Sequence, residues 1–101
     1  MEAEAEIRKA KTAFRHFTLI ANDEIIEANP DFGTTAGAAA FFTIHAWAKD
    51  SEEATDMLVT IGPQVGFSAM GRIYVYVTDP QQPPRENPHG YGLSFHQYQR
   101  G

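Results

Sequence analysis

The stretch FFTIHAWA, from Phe41 to Ala48, alternates residue by residue and therefore predicts a β-strand. One face of this strand carries Phe42, Ile44, Ala46 and Ala48, and the other carries Phe41, Thr43, His45 and Trp47. Neither face holds a lysine, arginine, aspartate or glutamate, whereas a half-buried strand normally turns charged side chains towards water. We therefore expect both faces to be covered, and what covers the aromatic face becomes the functional question.

A capped amphipathic helix is predicted directly after this strand. In KDSEEATDMLVTIGP, Asp50 or Ser51 caps the helix, and Glu53 lies three residues after Asp50, as in a capping box. Apolar residues at i, i+3, i+4 and i+7 form one stripe: Ala54, Met57, Leu58 and Ile61. Gly62 and Pro63 predict the end of the helix.

Three further strands are predicted by alternation and by β-branched or aromatic content. They are FRHFTLIA at 14–21, GRIYVYVTD at 71–79 and YGLSFHQY at 91–98. Asn22 and Asp23 favour a turn, after which EIIEA returns as a short hairpin arm. The proline-rich segment PQQPPRENPHG connects the last two strands. The N-terminal residues, from Glu2 to about Thr12, are rich in strong helix formers and predict a helix.

These elements predict one α+β domain over residues 1–101. We expect a small two-layer sandwich with a mainly antiparallel sheet of four or five strands. One main amphipathic helix packs on the sheet, and the N-terminal helix is added to it. The order of strand, helix and strand between Phe41 and Thr78 resembles the ferredoxin-like layout.

Charge and composition argue against several classes of function. The net charge is −5, and the basic cluster Arg8, Lys9 and Lys11 lies beside glutamates, so a nucleic-acid partner is not expected. The absence of cysteine excludes disulfides, zinc–thiolate sites and cysteine nucleophiles. No apolar run approaches the roughly 20 residues that span a bilayer, and the N-terminus lacks the apolar region of a signal peptide. We therefore expect a cytoplasmic, acidic protein without a membrane partner.

If the helix covers one face of the sheet, the other face collects an unusual set of side chains. Alternation places on it Phe14, His16, Phe41, His45, Trp47, Arg72, Tyr74, Tyr76, His96 and Tyr98. A face this aromatic is not typical of a solvated surface. Three coverings are open: another segment of the chain, such as the N-terminal helix or residues 22–40, a partner subunit, or a ligand.

We predict a small non-catalytic binding domain that uses this face to form a homo-oligomer or to bind a protein partner. The predicted binding residues are His45, Trp47, Arg72, Tyr74, Tyr76 and His96. Tyrosine, tryptophan and arginine are enriched at interfaces, and histidine adds sensitivity to pH near neutrality.

The alternative is a dimeric ferredoxin-like enzyme, of α+β barrel type, or a small-molecule carrier with a pocket on the same face. In an enzyme, His45 would act as a base beside Asp50, Asp79 or Glu86. No cofactor and no metal is predicted. Three histidines on separate strands would supply a metal site only if the fold brought them together: His16, His45 and His96.

Overall fold

The helix joins two parallel strands that are separated by a third. The computed structural model describes residues 14–99, which form β1 (Arg15–Glu24), β2 (Ala39–Ala48), α1 (Ser51–Gln64), β3 (Arg72–Val77) and β4 (His89–Tyr98). The strand order is β3-β1-β2-β4, and every neighbouring pair is antiparallel. Because β2 and β3 both oppose β1, the unit β2-α1-β3 is a split βαβ arrangement.

The predicted α+β class is confirmed as one helix on a four-stranded antiparallel sheet. The predicted N-terminal helix lies outside the described residues. A ferredoxin-like layout has two helices, whereas residues 14–99 contain one. That finer assignment therefore stays a prediction.

The core lies between α1 and the face of the sheet that α1 covers, here called the helical face. Strand residues that alternate in sequence all point to this side, as the periodicity predicts. The largest fully buried side chains are Phe17, Leu19, Ile25, Phe42, Ile44, Leu58 and Phe67. From the predicted helical stripe, Ala54 and Leu58 are buried, and Met57 and Ile61 are partly buried against the core.

The helix begins where the sequence predicts but ends later. Asp50 is the N-cap and its Oδ1 accepts the Glu53 N–H at 2.8 Å, while Glu53 Oε1 accepts the N–H of Lys49 at 2.9 Å. The predicted stop at Gly62 and Pro63 was wrong, because α1 continues through both residues to Gln64. Gly62 instead allows the helix to pack closely against Ala69, because a Cβ at position 62 would lie 2.9 Å from the Cβ of Ala69.

The predicted hairpin after Ala21 was also wrong. β1 continues through Asn22 and Asp23 to Glu24, and every one of these residues pairs with β2. The Asp23 carboxylate accepts the backbone N–H groups of Met70 at 2.7 Å and Gly71 at 2.6 Å. A long-range partner, rather than a local turn, therefore satisfies this polar side chain.

A β-bulge in β4 changes which side chains share a face. Thr43 pairs with Ser94 and His45 pairs with Tyr91, so Gly92 and Leu93 together oppose one residue of β2. Gly92 has a φ of 65°, in the left-handed region that glycine adopts without a steric penalty. The bulge moves Tyr91 to the face opposite α1, whereas strict alternation would place it beside Leu93.

Candidate functional site

The face of the sheet opposite α1, here called the aromatic face, collects all four histidines, all four tyrosines and the tryptophan of the chain. These residues are His16, His45, His89, His96, Tyr74, Tyr76, Tyr91, Tyr98 and Trp47. The strand pairings confirm the alternation that predicted this face. They also divide it into two ends with different surroundings.

At one end, His16 is the centre of a buried hydrogen-bond network and is only 4% exposed. Its Nδ1 lies 3.1 Å from the carbonyl oxygen of Thr78 and 3.0 Å from the Thr78 hydroxyl. Because a carbonyl oxygen only accepts, Nδ1 carries the proton. Nε2 of the neutral ring is then free to accept the Tyr91 O–H at 2.6 Å.

The segment that follows β3 closes this end. Residues 78–82, here called the strap, are fastened to the aromatic face at Thr78, which hydrogen-bonds with His16 and with the Thr18 hydroxyl, and by two hydrogen bonds further along. The backbone N–H of Gln81 donates to the Tyr91 hydroxyl at 3.1 Å, and Trp47 Nε1–H donates to the Gln82 carbonyl at 2.8 Å. Trp47 and Tyr91 are buried as a result. The first residues of the proline-rich connection therefore cover this end of the aromatic face.

His45 and His89 complete the histidine cluster. The His45 ring stacks on His16 with centroids 5.9 Å apart and lies 5.4 Å from the Tyr91 ring. Its Nδ1 hydrogen-bonds with the Thr18 hydroxyl at 2.9 Å. The His89 ring lies 5.9 Å from Tyr91, and both of its nitrogens are buried without a hydrogen-bond partner among the described residues.

The surroundings of His16 favour its neutral form. Burial lowers the pKa of His16 below its ordinary value of 6.5, and the nearby His45 and His89 lower this pKa further. The hydrogen bond to the Thr78 carbonyl and the charge of Asp79 act in the opposite direction without reversing the shift. The neutral ring is the form in which Nε2 accepts the Tyr91 O–H.

The arrangement does not join His45 to the proposed carboxylates and does not bring His96 to His16 and His45. No hydrogen bond joins His45 to the carboxylates proposed beside it; Asp50 caps α1, and Asp79 and Glu86 are exposed. His96 pairs with Phe41 at the far end of β2, whereas His16 pairs with Trp47. No group of three or more histidines and carboxylates within residues 14–99 could hold a metal ion.

The part of the aromatic face that the strap leaves exposed, here called the open end, carries the remaining predicted binding residues. Tyr76 lies in the same cross-strand row as His45 and Tyr91 and belongs to the open end because it is on the edge strand β3. Tyr74 is 40% exposed and Tyr76 is 50% exposed, and Arg72 donates from its guanidinium to the Tyr74 hydroxyl at 3.4 Å. His96 is exposed as well, while the rings of Phe41 and Tyr98 lie 5.0 Å apart. The structure thus divides the predicted binding residues into two groups. Trp47 is buried and His45 is half-buried at the closed end. The exposed residues at the open end are Arg72, Tyr74, Tyr76 and His96.

The segment between β1 and β2 does not cover the open end. Phe32 in this segment packs edge-on against Phe95, with ring centroids 5.2 Å apart. Phe95 in turn stacks on Phe42 in the core, so the segment packs on the helical face. Of the two chain segments that the sequence offered as covers of the aromatic face, residues 22–40 are therefore excluded for the open end.

Sequence reasoning missed Tyr91, His89 and the strap. Gly92 inside a strand pattern was the available signal, because glycine in a strand often marks a bulge, and a bulge reverses the alternation on one side of it. The strap left no comparable local signal. Its anchors Thr78 and His16 are 62 residues apart in the sequence.

Comparison with known proteins assigns no family to the chain. No protein-family model matches it, and neither the curated proteins nor the solved structures contain a significant match to it. Within the molecule, α1 is not long and apolar enough to cross a membrane, and no other helix occurs among residues 14–99.

Proposed function

We propose that this chain is a non-catalytic interaction domain that forms a homo-oligomer or binds a protein partner through the open end of its aromatic face. The observation that carries the proposal is the exposure of Tyr74 and Tyr76 on a sheet face whose other end is sealed by the strap. Tyrosine and arginine supply much of the binding energy at protein interfaces, because they combine large apolar area with hydrogen-bonding groups.

The chemistry of the face supports binding over catalysis. Two of the four histidines are engaged in the network of the closed end, where His16 bonds to Tyr91 and Thr78, and His45 bonds to Thr18. The open end instead offers aromatic rings with one permanent charge, that of Arg72. The cytoplasmic location and the ferredoxin-like layout remain predictions from the sequence.

Photo-crosslinking tests the proposal whatever the protein partner is. A photoreactive phenylalanine analogue replaces Tyr76, which is 50% exposed on the aromatic face, and in a matched protein it replaces Val59, which is 44% exposed on α1. Both proteins are irradiated in cells that express the full chain. We expect covalent adducts at position 76 and few at position 59, where the analogue reports random encounters.

The identity of the adduct does not affect this test. An adduct with a second copy and an adduct with another protein both support an interaction surface at Tyr76. Equal yields at positions 76 and 59 would contradict the proposed function.

A further inference from the structure

The two edge strands of the sheet differ in how they are protected from pairing with another strand. β4 is interrupted by the bulge at Gly92, and its Gln97 side chain is engaged by the Thr35 N–H at 2.6 Å. β3 carries no bulge in its pairing with β1, and none of its six residues is a proline, glycine or lysine. Bulges, prolines and charged side chains, lysine above all, are among the features that natural proteins use to block edge strands, and β3 carries one of these, Arg72 at its first position.

The sequence of β3 is one that pairs readily. RIYVYV consists of β-branched and aromatic residues after a single arginine. Segments of this length with high β-propensity, low charge and no proline form stable intermolecular sheets. Val77 at the end of the strand is 64% exposed although it is apolar, because the helical face is not covered there. A strand of this kind remains soluble when a defined partner strand covers it.

We propose that the partner at this surface is a second copy of the chain, whose β3 pairs antiparallel with β3 and continues the sheet across a two-fold axis. In the register centred on Val75, Tyr74 of each copy lies opposite Tyr76 of the other. Both aromatic faces then point to the same side, and the open ends of the two copies merge into one tyrosine-lined surface. This inference rests on the proposed function, because it names a second copy as the partner and places the contact at the β3 edge, beside Tyr74 and Tyr76.

Charge favours the antiparallel arrangement of two copies. The chain has a net charge of −5, yet the one charge within β3 is that of Arg72, so two copies approach along this edge without carboxylate repulsion. In the register centred on Val75, Arg72 lies opposite Thr78 of the second copy, so the two guanidinium groups are at opposite ends of the paired strands. A parallel pairing would bring the two Arg72 guanidinium groups together instead.

Symmetry supplies a second argument for self-pairing. A two-fold contact uses the same patch on both subunits, so a single pairing covers, in both copies, the edge of β3 that no strand of residues 14–99 pairs with. Cross-strand aromatic pairs also stabilise antiparallel strands, and this register creates two Tyr74–Tyr76 pairs. A partner of different sequence would have to provide an unpaired strand of its own.

Light scattering across a concentration series tests the dimer. Val77→Lys places a charge opposite Ile73 of the second copy without altering the aromatic face, and Val59→Lys is the matched control on α1. We expect a wild-type dimer, at least a tenfold rise in the dissociation constant for Val77→Lys, and no change for Val59→Lys. A wild-type monomer, or a dimer that Val77→Lys leaves intact, would overturn the inference.

Single cysteines then test the register. Because the chain has no cysteine, each variant carries one thiol. Tyr74→Cys, Val75→Cys and Tyr76→Cys are oxidised mildly, with Val59→Cys as the control for random collision. We expect a disulfide-linked dimer at position 75, where the two-fold axis brings both copies within bonding distance, and only background at position 59.

The two proposals fail in distinguishable ways. If position 76 crosslinks to another protein and the purified chain is a monomer, the interaction surface stands and self-pairing is overturned. If the dimer forms and none of the three cysteines crosslinks above the control, edge pairing is overturned. If position 76 gives no adduct above position 59, the proposed function fails as well.

Discussion

The two ends of the aromatic face carry the same kinds of side chain and differ in what covers them. At the closed end, His16, Tyr91 and Trp47 are buried beneath the strap and hydrogen-bonded to it. At the open end, Tyr74 and Tyr76 remain exposed. An aromatic strand face is thus not by itself a binding site, because a distant loop can convert part of it into core. What identifies the candidate surface is that no segment within residues 14–99 covers it in this way.

The largest expected difference between the two ends is in the free energy of unfolding. His16→Ala removes the ring that joins Tyr91 to Thr78 and leaves a cavity and unpaired polar groups, which costs about 3 kcal/mol. Tyr76→Ser at the open end changes the stability of the monomer by less than about 0.5 kcal/mol, as is usual for exposed positions. Urea unfolding of the purified proteins measures both. Equal losses would show that the two ends are not distinct in their packing.

Gly92 tests whether the bulge is what directs Tyr91 to the closed end. Its φ of 65° is unfavourable for alanine, and a Cβ there would lie 2.8 Å from Cδ2 of His45. Gly33 has a similar φ of 64° with no atom within 4 Å of the added Cβ.

We expect Gly92→Ala to cost about 2 kcal/mol and Gly33→Ala about 1 kcal/mol, because both incur the backbone penalty and the first adds a steric conflict. Thermal or urea unfolding compares them. A smaller loss for Gly92→Ala than for Gly33→Ala would contradict the close approach to His45.

Trp47 tests how firmly the strap is held. Trp47→Phe keeps an aromatic ring but loses the hydrogen bond to the Gln82 carbonyl, for an expected cost of about 1 kcal/mol. The amide of Gln81 reports on the strap directly, because it donates to the Tyr91 hydroxyl. We expect this amide to exchange with deuterium faster in the variant than in the wild-type protein. Unchanged exchange would show that the other contacts of the strap hold it without the Trp47 hydrogen bond.

The parts of the fold that the sequence predicted are those set by local periodicity. Alternation assigned the faces of β1 and β2, and a four-residue stripe identified the buried side of α1, because each pattern is contained within its own element. The Asn22–Asp23 turn was wrong since the Asp23 carboxylate finds its partners, the Met70 and Gly71 amides, far along the chain.

The candidate site was predicted less completely for the same reason. Alternation found the open-end residues, whose exposure depends on little beyond their own strand. The closed end depends on Tyr91 and His16, which are 75 residues apart in the sequence and joined by a hydrogen bond. Neither residue carries a local pattern that predicts this contact, and the bulge at Gly92 shifts Tyr91 away from the face that alternation assigns to it.

The smallest expected effect at the closed end comes from the protonation of His16, which changes the stability of the fold with pH. Burial lowers the pKa of His16 in the folded protein below the value of 6.5 that the ring has when exposed. Between these two pKa values the unfolded chain binds more protons than the folded one, so stability rises with pH. The stability contributed by the neutral ring is fully present above pH 6.5 and is lost as the pH falls from there through the folded pKa.

The groups around His16 shift its pKa in both directions, so burial is the main cause of the lowered value. His45 and His89 lower the pKa, whereas the hydrogen bond to the Thr78 carbonyl and the charge of Asp79 raise it. His16→Gln keeps a donor for the Thr78 carbonyl and an acceptor for the Tyr91 hydroxyl but does not titrate. We expect its unfolding free energy, measured by urea from pH 8 to pH 5, to vary less with pH than that of the wild-type protein. Parallel pH profiles would place the titrating group elsewhere and leave His16 with a purely structural role at the closed end.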